Sequence, residues 1–208
     1  QVFNSMFVIH PDTVFFCGGH GIILKTVDGG LNWNSYIYSD TTLQLWGMFF
    51  LNSQTGYCVG GKGKILKTTN QGLSWDVKPT TFPLTDLHSV FFVNENTGYI
   101  GGSANQFLKT TNAGANWENK VGLNISGFES HSSVHFFDAN TGMYCTNAGR
   151  IVMTTNGGDN WALMTDLSNS GLWCLSFPNA QTGYASASHG IILKTTNGGT
   201  NWITQNTG

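Results

Sequence analysis

Asp40, Asp86, Glu129 and Asp166 fall at wide, similar intervals along this 208-residue chain, each ahead of an apolar run. Two carboxyl groups held roughly 5–10 Å apart can cleave a glycosidic bond, one as acid and one as nucleophile or base. Trp46, His88, His131 and Trp173 sit near them in sequence. An indole offers a flat platform for a sugar ring or a peptide side chain, and it equally suits capping of a core between packed elements. The imidazoles lack any local spacing that would mark a metal site. The candidate ligand-binding set is therefore Trp46, His88, Trp173, Asp86, Glu129 and His131. No residue is assigned a catalytic role, and no metal or other cofactor is expected.

The elements that must hold these residues are visible as a repeat. Tryptophans at 33, 75, 117, 161 and 202 recur at intervals of 42, 42, 44 and 41 residues, a period that suits one four-stranded propeller blade per repeat. The expected fold is all-β, a five-bladed β-propeller with four antiparallel strands per blade. The blades run approximately over 1–40, 41–82, 83–126, 127–168 and 169–208, in a single domain. Each blade reads as complete within its own repeat, so closure is expected to rest on packing of blade one against blade five, with a larger parent propeller as the alternative if the chain has been cut.

Aligned on the tryptophans, each repeat opens with an apolar run in which Met6, Met48, Val90, Val134 and Leu175 share one column. Two residues on stand Val8, Phe50, Phe92, Phe136 and Phe177. Alternation of period two predicts an inner strand with one face buried. The small column between them, Ser5, Gly47, Ser89, Ser133 and Cys174, would let inner strands crowd together. Asn4, Trp46, His88, Ser132 and Trp173 form another column, placed to ring the mouth of a central channel. A Thr-Gly pair then begins a turn in blades two to five, where blade one has Thr13-Val14. Glycine-rich hairpins follow, with His20, Lys62, Asn105, Ala148 and His189 at their tips; His20 and His189 are read there as solvated polar residues.

Around each tryptophan the pattern is Ser/Thr-x-Asp/Asn-x-Gly-x-x-Trp, in five copies from Thr26–Trp33 to Thr195–Trp202. It resembles the Asp-box, or BNR repeat, of sialidases, xyloglucan-cleaving propellers, sortilin-like receptors and photosystem II assembly and stability factors. Read physically, Asp28, Asn70, Asn112, Asn156 and Asn197 accept hydrogen bonds from their own turn, and Trp33, Trp75, Trp117, Trp161 and Trp202 cover the hairpin. These ten residues are read as structural. Four lone asparagines are poor ligands for calcium.

In the resembling families the boxes lie opposite the binding face. That resemblance directs attention to the other rim, where the connections between blades differ in sequence; Phe82 and Phe128 belong to them. A sialidase clamps its substrate with three arginines, and this chain has one, Arg150. The xyloglucan-cleaving relatives use a cleft between two propellers. Overall the repeats look closest to the photosystem II factors and their bacterial relatives, which are binding scaffolds. The basic patches of the photosynthetic members have no counterpart here.

Composition narrows the partner class. Charged residues make up 10% of the chain against about 25% in an average protein, and the net charge is −2. Nine scattered basic residues give no footprint for nucleic acid and no polybasic membrane patch. No apolar run is long enough to insert in a membrane. The four cysteines form no CxxC and are expected as buried free thiols, with a disulfide as the alternative. The reading is a noncatalytic module for a protein or peptide, with a glycan-binding lectin as the alternative and a glycoside hydrolase third. A start at Gln1 just before the first strand suits a mature secreted or periplasmic chain, and equally a trimmed one.

Overall fold

A computed structural model describes residues 2–78, 80, 85–121, 129–168 and 170–206; Phe82 and Phe128 lie outside the described residues. The architecture is the five-bladed β-propeller that the repeat predicts, with five antiparallel sheets of four strands in chain order. Blade one, for example, consists of Phe3–His10, Thr13–Gly18, Ile22–Thr26 and Asn34–Ile37. No helix among the described residues is long and apolar enough to cross a membrane. The chain divides into two compact units, Gln1–Gly98 with Thr110–Trp117, and Tyr99–Lys109 with Glu118–Gly208.

The box hairpins are clasped as their residue types predict. Thr26 Oγ donates to Asp28 Oδ1 at 2.7 Å and accepts the Gly30 N–H at 2.9 Å, while the same Asp28 oxygen accepts the Asn32 N–H at 2.9 Å. Asn70, Asn112, Asn156 and Asn197 repeat this arrangement with Thr68, Thr110, Thr154 and Thr195. The clasp needs an acceptor oxygen, which an amide supplies as well as a carboxylate. Each box then bonds to the turn between the first two strands of its own blade, as in Gln71 N–H to Gln54 O at 3.0 Å and Gly157 N–H to Asn140 O at 2.8 Å. Boxes and these turns therefore share one end of each blade.

Trp75, Trp117, Trp161 and Trp202 set their rings edge-on to Phe50, Phe92, Phe136 and Phe177, at 5.9–6.3 Å between centroids. The same phenylalanines explain the Thr-Gly column. Gly56, Gly98, Gly142 and Gly183 are not at positive φ, so the turn expected there is not what selects glycine. A Cβ at each would collide with the phenylalanine ring of its own blade. Blade one carries Val8 and Val14 as cross-strand partners in place of Phe and Gly: the smaller side chain admits the larger one.

Successive blades interlock through the same rings. Phe50 packs on Phe15 at 4.3 Å, Phe92 stacks on Tyr57 at 4.1 Å, and Phe136 stacks on Tyr99 at 3.5 Å. Gly47 lies against the backbone of His88 and Ser89, the close approach for which a small residue is required. The end blades differ: Met6 and Val8 on blade one and Tyr184 and Ile192 on blade five are exposed. Cys17, Cys58 and Cys145 are buried free thiols as expected, whereas Cys174 is free and exposed.

Candidate functional site

The end of each blade away from its box is formed by the hairpin between strands two and three and by the incoming connection from the neighbouring blade. Gly21 N–H donates to Leu43 O and Gly63 N–H to Thr85 O, both at 2.8 Å, and Asn105 N–H donates to Glu129 O at 2.9 Å. His20, Lys62, Asn105 and His189 occupy the tips at φ between 56° and 62°. That left-handed backbone is costly for residues with a Cβ.

In the first unit, Lys62 organises the rim. Its ammonium donates to Asp40 Oδ2 and Thr42 Oγ, both at 2.8 Å, and its backbone N–H donates to Asp86 Oδ1 at 3.2 Å. The Lys62 bond and those from Thr42 hold the Asp40 carboxyl down at about 2. Trp46 leans on His88, with ring centroids 5.7 Å apart. Burial pushes the His88 imidazole below its ordinary value, and the Asp86 carboxylate partly offsets that shift. Asp86, His88 and Trp46 thus form one cluster. The Trp46 indole N–H is buried with no acceptor among the described residues.

In the second unit the lone arginine has the organising role. Arg150 pairs with Glu129 and donates through Nε to Asp166 Oδ2 at 3.1 Å. Burial raises the Asp166 carboxyl, but the Ser168 N–H and Arg150 outweigh it and leave the net shift downward. An open polar depression beside Arg150 and Asp166 is floored by Asn147, Ala148 and Gly171. His131 does not reach the surface: it is 1% exposed and packs 4.0 Å from the Tyr144 ring. It stands at an inner-strand position that carries Leu45 and Leu87 in other blades. Trp173 is 59% exposed and donates to Ser188 Oγ at 3.1 Å. Trp46 has His88 of the following blade against it; among the described residues Trp173 has no such cover.

A backbone irregularity aims the aromatic column. In every inner-strand pairing described, the register slips at this position, between Phe3 and Ser5, Leu45 and Gly47, His131 and Ser133, and Leu172 and Cys174. Asn4, Trp46, Ser132 and Trp173 are the extra residues of these bulges, and a bulge re-aims the side chain it carries.

Residues 37–170 match the family described as photosynthesis system II assembly factor YCF48. This chain belongs to that family. Among solved structures, a YCF48 bound to D1 peptide is 18% identical at a TM-score of 0.54, over 98% of this chain and 82% of that one. YCF48 from Cyanidioschyzon merolae is 16% identical at 0.55, over 98% and 84%. The GH74 enzyme of Niastella koreensis superposes at 0.77 with 17% identity, but the match spans 97% of this chain and 38% of the enzyme. At such identities the likeness is one of fold. No curated protein matches the chain.

Within this YCF48-family chain, no group of three His, Cys, Asp or Glu side chains among the described residues is placed to hold a metal. Two elements of the rim are not apparent from the loops taken singly, namely the ion pairs of Lys62 with Asp40 and of Arg150 with Glu129 and Asp166. On the blade flanks, Lys25, Lys67, Lys109 and Lys194 all stand one residue before the box threonine. Three of them donate to a box carbonyl of the following blade, at Gln71, Ala113 and Gly157, over 2.8–3.1 Å.

Proposed function

We propose that this chain is a noncatalytic scaffold that binds a peptide segment of a partner protein, outside the cytoplasm, on the rim opposite the Asp-boxes. The observation that carries the reading is membership of a family in which a YCF48 has been solved with a D1 peptide. The chemistry of the rim supports it. A hydrolase needs one carboxyl group protonated near neutral pH, yet Asp40 and Asp166 are both shifted the other way by cations and N–H donors. Glu129 shares Arg150 with Asp166. In the first unit the Lys62–Asp40 ion pair, the left-handed Lys62 tip and the Trp46–His88 ring pair suit the alternating polar and apolar groups of a peptide.

The test is to probe immobilised chain with an array of synthetic peptides, the D1 peptide included, and with xyloglucan oligosaccharides. Peptides should bind and oligosaccharides should not. Affinity should fall roughly tenfold or more in Trp46→Ala and Lys62→Ala, and stay unchanged in Leu31→Lys and Leu73→Lys at the box end. Loss confined to the box-end variants, or binding of oligosaccharides alone, would overturn the reading.

A further inference from the structure

The second strands of blades one and two bring two thiols together inside the first unit. Along Thr13–Gly18 the side chains alternate between the two faces of the sheet. Phe15 packs on Phe50 of blade two at 4.3 Å, so Cys17, two residues on, faces blade two as well. In Gly56–Gly60, Tyr57 stacks on Phe92 of the following blade, so its neighbour Cys58 faces the other way, toward blade one. The two side chains thus enter one junction from opposite sides. Both are 0% exposed, both belong to one core cluster with Leu45, Met48 and Leu66, and their thiols are hydrogen-bonded to each other.

The second unit supplies the contrast. Cys145 stands in the column of Cys17, but at the place of Cys58 the next blade carries Ala185, buried in the same cluster as Cys145. Cys174, on the inner strand of that blade, has the Ser133 hydroxyl as a hydrogen-bond partner. Of the four cysteines, Cys17 and Cys58 are the pair bonded thiol to thiol.

We propose that Cys17 and Cys58 are a disulfide site, which closes between blades one and two when the chain folds in the presence of a disulfide oxidant. A disulfide needs two Cβ atoms that point toward one another, and opposed faces of one junction provide them. In the exchange, one cysteine thiolate attacks the oxidant's disulfide, forms a mixed disulfide and expels the first thiol. The second cysteine then attacks the sulfur of the first and expels the other. Two cysteine thiols become one S–S bond, and the oxidant, two electrons richer, leaves as two thiols that carry the two protons. Burial and the Cys17 thiol push Cys58 well above the ordinary thiol value, so the packed junction holds little thiolate; exchange belongs to the open chain, before the blades close. The bond encloses the long segment between residues 17 and 58, and long loops gain the most from closure. The site is independent of what the rim binds.

The test uses Cys174→Ser, which sets there the serine of blades one, three and four and removes exchange through that thiol. The reduced, denatured chain is refolded with a mixture of reduced and oxidised glutathione, and free thiols are then titrated in denaturant. One thiol, Cys145, should remain, and a proteolytic digest should hold Cys17 and Cys58 in one linked peptide that dithiothreitol separates. The melting temperature should exceed that of the chain refolded in dithiothreitol by roughly 5–10 °C, a difference absent from Cys58→Ala. Chain exported to a bacterial periplasm and alkylated before lysis provides the same count should refolding in vitro fail. A natively folded chain in which Cys17 and Cys58 both still titrate after either treatment overturns the proposal. So does a bond that joins either of them to Cys145.

Discussion

The Phe136 ring lies over Gly142, its cross-strand partner, with no room for a methyl group between them. The same pair is Phe50 with Gly56 in blade two, and Val8 with Val14 in blade one. Ring and glycine therefore act as a unit. Gly142→Ala should destabilise the protein by about 1–3 kcal/mol through overpacking. Combined with Phe136→Val, which reproduces the blade-one solution, its effect should be largely absorbed. A double-mutant cycle on denaturant midpoints checks this; strict additivity would show that the two positions are not coupled.

His135 stands in the column of Phe7, Phe49 and Phe91 and stacks on Phe177 at 4.8 Å. Burial pushes its imidazole down to about 4 from an ordinary 6.5. Between those values the unfolded chain binds a proton that the folded chain refuses, so stability is lost as pH falls from 6.5 toward 4 and levels off below. The full effect is about 3 kcal/mol. His135→Phe should remove that portion of the acid sensitivity; an unchanged stability profile over this window would contradict it.

Asp28 is the one anionic clasp residue, and its carboxyl is held at about 2 by the Asn32 backbone N–H, the Asn32 side chain and Thr26. A depressed carboxyl contributes stability above 3.8 that disappears as pH falls through 2. Asp28→Asn copies the other four boxes. It should leave the neutral-pH melting temperature nearly unaltered and flatten the profile between pH 4 and 2. A clear loss at neutral pH would show that the charge itself is needed.

Ala113 holds φ at 56° at the box position where Gly29, Gly157 and Gly198 stand in three other blades. Its carbonyl is fixed by Tyr57 and Lys67, so the backbone cannot relax. Ala113→Gly should raise stability by about 0.5–1 kcal/mol, the left-handed penalty less the added chain entropy. A lower denaturant midpoint in the variant would place the strain elsewhere.

Trp117 is buried against Phe92, whereas Trp33 is partly exposed against Phe16. Trp117→Ala should cost about 3–5 kcal/mol, and Trp33→Ala clearly less. Equal losses in chemical denaturation would contradict this difference in burial.

The sequence by itself determined the blade, because everything that builds one is local. Alternation sets the strands, glycines and Asx residues shape the turns, and Thr26, Asp28 and Trp33 with their four sets of counterparts close a hairpin within eight residues. Those interactions repeat wherever the motif does. What the tertiary structure decided lies between strands and between blades. The bulge that re-aims Trp46 is a property of pairing with Val59 and Gly60, not of its own strand. Arg150 meets Glu129 and Asp166 from separate segments, and His131 turns inward beside Tyr144. Met6 and Val8 carry the same apolar pattern as Met48 and Phe50, yet only one pair is buried, because burial depends on a neighbour that periodicity within a strand does not specify.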